Sequence, residues 1–142
     1  MRLPEQRLWD RFRRNSARLG MLLNRVENLV GVGDPDVETI AVGGVVSKVE
    51  LKAVETPPKR ATTPLLGRDG LTAEQRSFMI QWTSHGGRGF VLIGVGVGPA
   101  AEQHLVSGVH ADEINSWPFV EVRRRALASD WLLINRILRG QA

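Results

Sequence analysis

This sequence predicts an α/β fold, a small mixed β-sheet flanked by helices. Three observations predict it. Both ends carry apolar residues at helical spacing, the middle carries period-two stretches around Gly43-Gly44, and Phe90 to Val97 is an apolar run of strand length. With 142 residues the chain is expected to form one domain with a real core.

Taken in order, residues 4 to about 28 read as a basic helix, interrupted at Gly20, with Leu8, Phe12, Leu19, Leu22, Leu23 and Val26 near helical spacing. Gly31 to Pro35 is a turn and a helix stop. Val37 to Val42 and Val45 to Val54 read as strands of a hairpin turning at Gly43-Gly44, because two glycines supply the positive φ that tight hairpins need. Glu55 to Gly70 is a long loop with three prolines and the bases Lys59, Arg60 and Arg68. Thr72-Ala73-Glu74-Gln75 fits a capping box that opens a helix, which Gly86-Gly87 ends. Phe90 to Val97 is the central strand, buried on both faces, and Gln103 to Val109 is one more short strand. An amphipathic helix over about 119–138 closes the chain, leaving a core over about 29–110.

The composition is ordinary globular, 42% hydrophobic and 24% charged, with no apolar run long enough to span a membrane. The arginine-rich start has no signal-peptide core, so a soluble cytoplasmic protein is expected. The absence of cysteine excludes thiolate metal sites, and three scattered histidines at no ligand spacing argue against a histidine site, while an oxygen-ligand site stays open. The net charge is +4 and arginine greatly outnumbers lysine, which tilts toward a polyanionic partner. Arginines crowd the first segment, including Arg11 and Arg14, and Arg123 to Arg125 form a second cluster. Each cluster reads equally as a phosphate contact or as a solvated helix face. The four tryptophans read as core rather than as base-stacking platforms.

The chemistry concentrates at Pro35-Asp36 and Glu50-Leu51-Lys52. A turn centred on Gly43-Gly44 places Asp36 opposite about residue 51, so Glu50 is its neighbour across the ladder. Two carboxylates that close repel unless a cation sits between them, and Mg²⁺ is the natural candidate. Lys52 lies two positions past Glu50 on the same strand face. There it can orient or deprotonate an attacking water, or neutralise charge building on phosphorus.

The ordered pattern resembles the PD-(D/E)XK nuclease superfamily, in its phage and VRR-type, Holliday junction resolvase-like branch. Gly33-Asp34-Pro35-Asp36 looks like the Gly-x-Pro-Asp start, and Val49-Glu50-Leu51-Lys52 like the hydrophobic-Glu-x-Lys strand. Leu71 to Gln75, Gly86-Gly87 with the apolar strand after it, and Arg25-Val26-Glu27-Asn28 match in the correct order over roughly residues 20 to 97. The resemblance implies a restriction-endonuclease-like core of order α-β-β-β-α-β. It implies Asp36, Glu50 and the Leu51 carbonyl as metal ligands, Lys52 as the catalytic lysine, Gln75 as a site residue, and Glu27 as an added helix carboxylate. The chain has no tyrosine, so the glutamine-plus-tyrosine helix of some relatives is absent. For Gln75 a plain capping role stays open beside the catalytic one, and for Glu27 a plain helix-end carboxylate.

The expected function is a Mg²⁺-dependent DNA endonuclease, with Mn²⁺ able to substitute, hydrolysing phosphodiesters by metal-activated water and selecting branched DNA such as junctions or flaps. Arg11, Arg14, Arg25, Lys59, Arg60, Arg68, Arg123 and Arg124 are the candidate DNA contacts, in a bacterial or phage-infected cell, and a homodimer would suit the two symmetric cuts of a four-way junction. The rival readings are a DNA-binding module on the same fold without chemistry, and a structural or interaction protein.

Overall fold

The computed structural model describes residues 3–26 and 33–141. Helix α1 (Leu3–Ser16) leads into strand β1 (Met21–Arg25), then the hairpin β2 (Val37–Ala41) and β3 (Val45–Val54). Helix α2 (Ala73–Ser84) crosses to β4 (Gly89–Val95), β5 (Glu102–Ser107) follows, and α3 (Phe119–Arg125) and α4 (Trp131–Leu138) close the chain.

The five strands form one sheet in the order β1-β2-β3-β4-β5. The β3–β4 pair is parallel, because α2 carries the chain back across the sheet, and the other pairs are antiparallel. This is the predicted mixed α/β sheet. Strand β4 is buried along its whole length, as its unbroken apolar run requires.

Alternation along β3 divides the packing. Val49 and Leu51 join Leu8 and Phe12 of α1 and Ile134 and Leu138 of α4 on one face. Glu50 and Lys52 lie beside Val91 and Ile93 of β4, whose side chains meet Met79 of α2 and Val122 of α3 on the other.

The structure corrects two boundaries. The helix read to residue 28 ends at Ser16, and Gly20 takes a left-handed φ of 77° that turns the chain into β1. Met21 to Arg25 then pair with Ala41 to Val37. The order helix, three strands, helix, strand is therefore present, with its first strand made from residues read as helix. At the other end, the single helix over 119–138 is two. Between them Leu127 and Ala128 bond to Leu105 at 2.7 and 2.9 Å, extending the edge of β5, and the Asp130 side chain restarts the helix by accepting from Leu133 N at 2.9 Å.

Candidate active site

The hairpin closes one residue later than a two-glycine turn implies. Ala41 pairs with Val45 around Val42-Gly43-Gly44, and both glycines have positive φ (96° and 84°). The ladder then runs to Val37↔Val49, so one further step puts Asp36 across from Glu50 rather than from residue 51. Past Val37 the Asp36 side chain replaces the backbone ladder: its Oδ2 accepts from Leu51 N at 3.1 Å, while its carbonyl accepts from Val26 N at 2.8 Å. Asp36 is thereby held against the Glu50-Leu51 backbone.

Glu50 is 1% exposed, and neither carboxyl oxygen has a hydrogen-bond partner. Its pKa is pushed up to about 10, first by burial, then by the Asp36 carboxyl, with Lys52 opposing and Glu5 adding to the rise. The approach of the Asp36 carboxyl favours the protonated form of Glu50, although the two make no hydrogen bond of regular geometry. Lys52, 8% exposed, is close enough to act on Glu50 but does not offset its burial.

A buried carboxyl without a donor, beside a second carboxylate, is destabilising unless it is protonated or meets a cation. Among the described residues no group of three or more histidine, cysteine, aspartate or glutamate side chains is placed to hold a metal. The donors on offer are two carboxylates and nearby backbone, a set suited to a hard cation that keeps several of its waters. The residues therefore fit Mg²⁺.

Gln75 sits in the capping box read from the sequence. Its Oε1 accepts from Thr72 N at 2.9 Å, and its own N donates to Thr72 Oγ1 at 3.1 Å. Gly33, at φ +91°, lies so close to the start of α2 that a Cβ there would come within 2.3 Å of the Glu74 carbonyl oxygen. This contact docks the segment leading to Asp36 against the helix turn that carries Gln75. Gly33→Ala is expected to lower the unfolding free energy by about 2 kcal/mol or more, through strain at positive φ and the backbone clash, as urea denaturation would measure.

Glu27 lies outside the described residues. Among the described residues, Glu5 of α1 is a helix carboxylate that acts on Glu50. Its signal was in the sequence: Glu5 lies three residues before Leu8 and seven before Phe12, on the stripe that faces the sheet.

No family model and no curated protein matches the chain. Among solved structures, one similar chain is Hjc of Archaeoglobus fulgidus, a Holliday junction resolvase from an archaeal hyperthermophile. The match covers 94% of this chain and 98% of that one, with a TM-score of 0.62 at 14% identity. The chain has a Holliday junction resolvase fold. A VRR_NUC domain is also similar, at 23% identity over 66% of this chain and 84% of that one, with a TM-score of 0.47. The match bears out the α/β fold, a mixed sheet flanked by helices, that the motif order implied.

On this resolvase fold the candidate DNA contacts separate into groups. Arg14, Lys59, Arg60 and Arg68 are exposed, and Arg11 is half-buried. Arg25 lies over the Trp9 ring, 5.4 Å from its centroid. Arg123 and Arg124 are each paired with a carboxylate of the chain. Arg123 grips both oxygens of Glu102 at 3.1 and 2.6 Å and holds that carboxyl below its usual range, and Arg124 grips Glu121 at 2.6 and 3.0 Å. Bidentate pairs use the guanidinium edge that a phosphate would need. Glu38 is likewise paired, to Lys48 at 3.3 Å, and Lys48 lies over the rings of Phe78 and Trp82. Among the described residues no helix is long and apolar enough to cross a membrane.

Proposed function

We propose that this chain is a metal-dependent DNA endonuclease that hydrolyses phosphodiester bonds and selects branched substrates, junctions or flaps. The observation that carries the reading is Glu50: a buried carboxyl with no hydrogen-bond donor, next to Asp36 and Lys52. A fold has no structural use for that arrangement, and perturbed carboxyls of this kind concentrate at functional sites.

Asp36 and Glu50 would hold Mg²⁺ or Mn²⁺, with the Leu51 carbonyl as a third oxygen. When bound, such an ion lowers the pKa of a water and neutralises phosphate charge. Glu50 would have to give up its proton to serve as a ligand. The Lys52 amine, beside the carboxylates, would stabilise negative charge building on the phosphate oxygens. Gln75, in the first turn of α2, would orient the site or contact substrate, and Glu5 acts on Glu50 from α1. Arg14, Lys59, Arg60 and Arg68 supply exposed charge for the DNA backbone, which positions substrate without reading sequence. A homodimer would present two such sites to the symmetric strands of a four-way junction.

The reading is tested by incubating the protein with four-way, flap and linear DNA of matched sequence, with Mg²⁺ and then with chelator. Cleavage of the branched forms with Mg²⁺ and none in chelator is expected. DNA binding without cleavage under any metal would replace this reading with that of a non-catalytic binding module.

A further inference from the structure

A second feature of α1 lies outside the carboxylate site. Arg7, Arg11 and Arg14, spaced i, i+4, i+7, form one stripe along the helix and line a groove of about 730 Å³ together with Asp10, Gln103 and Trp131. Neither Asp36, Glu50 nor Lys52 lines it. Trp131 is half-buried: its ring stacks on Phe12 at 6.0 Å and 15°, and the residue lines the groove.

The guanidinium groups here are poorly matched by anions of the protein. The Arg11 Nε is buried with no hydrogen-bond partner, and its NH2 group makes only a long contact, 3.4 Å, to the Glu102 carbonyl. Burial and then the neighbouring Arg14 hold the Arg11 pKa below its usual value, so positive charge is crowded rather than neutralised. The Arg7 pair with Glu55 is exposed and 3.6 Å long, and Asp10 pairs with Arg13 at 3.5 Å. Exposed pairs of this length hold a side chain weakly.

We propose that this groove binds an unpaired DNA strand, its phosphates on Arg7, Arg11 and Arg14 and a base stacked on Trp131. The assignment rests on the reading of the chain as a DNA nuclease, and it narrows the substrate to branched DNA with a single-stranded arm. The arginine stripe covers about 10 Å of helix axis, enough for two or three successive phosphates of one strand. The tryptophan decides between strand and duplex: bases in a duplex are already stacked, whereas an unpaired base can lie on an aromatic ring, in any sequence.

The test is fluorescence anisotropy with a labelled single-stranded oligonucleotide and a blunt duplex of the same sequence, in chelator so that nothing is cut. The wild type is expected to prefer the single strand. Trp131→Leu is expected to weaken single-strand binding about tenfold and leave duplex binding unchanged. Because Trp131 also packs on Phe12, the exposed Arg14→Gln is the companion variant. It should weaken single-strand binding and lower the slope of log affinity against log salt by about one. Equal affinity for strand and duplex, or single-strand affinity untouched by Arg14→Gln, would overturn the assignment. A protein that cuts branched DNA yet shows no strand preference loses only this groove, and one that binds the strand but never cuts loses only the nuclease reading.

Discussion

Replacing Glu50 with glutamine is expected to abolish Mg²⁺-dependent cleavage and, in chelator, to make the protein steadily more stable relative to wild type as the pH rises. The sign follows from the raised pKa. In the folded protein Glu50 titrates near 10 against an ordinary 4.5, so between those values the native state holds a proton that the unfolded chain has released. Its contribution is therefore fully favourable below the ordinary pKa and is lost as the pH climbs toward 10, by up to about 1.4 kcal/mol per pH unit. Glutamine does not titrate, so Glu50→Gln should not show this component of the pH dependence. Urea denaturation in chelator at several pH values between about 5 and 9 measures it. A wild type whose stability does not fall relative to the variant across that range would mean that Glu50 is not a strained buried carboxyl. Cation binding must displace the same proton, so the apparent Mg²⁺ affinity of the wild type should rise with pH, by as much as tenfold per unit below 10.

Lys52→Met carries the second large effect. Cleavage should fall by about 10²- to 10³-fold, the usual loss when one preorganised charge is removed from a developing anion. DNA affinity without metal should hardly change, because Lys52 is buried beside Glu50 and not on the surface. Lys52 also lowers the pKa of Glu50, so its removal should move the rising limb of the pH–rate profile to higher pH. Single-turnover cleavage across a pH series reads both. A lysine with a purely structural role would lower the rate without moving the profile.

Much of this site was legible in the sequence because it depends on local rules. Gly43-Gly44 fixed a hairpin, and strand periodicity put Glu50 and Lys52 on one face; only the turn length was misjudged, by one residue. The capping box at Thr72 and Gln75 is likewise a local hydrogen-bond pattern. What escaped was decided at a distance. Leu19, Leu22, Leu23 and Val26 satisfy a helical spacing, but pairing with β2 turned Met21 to Arg25 into an edge strand. Leu127-Ala128 joined β5 for the same reason, splitting the closing helix. The arginines at 123 and 124 looked available until the fold brought Glu102 beside Arg123 from another element. Glu5 lies on the helix stripe that faces the sheet, and a reading of that stripe would have named it.

The central claim is that half-buried Asp36 and buried Glu50 together form a cation site. Anomalous diffraction from crystals grown with Mn²⁺ tests it most directly. The predicted result is a single strong peak within ~2.2 Å of oxygens from Asp36, Glu50 and the Leu51 carbonyl, absent from Glu50→Gln crystals. A protein that cleaves DNA with Mn²⁺ while its ion binds elsewhere, or whose peak survives in Glu50→Gln, would contradict it.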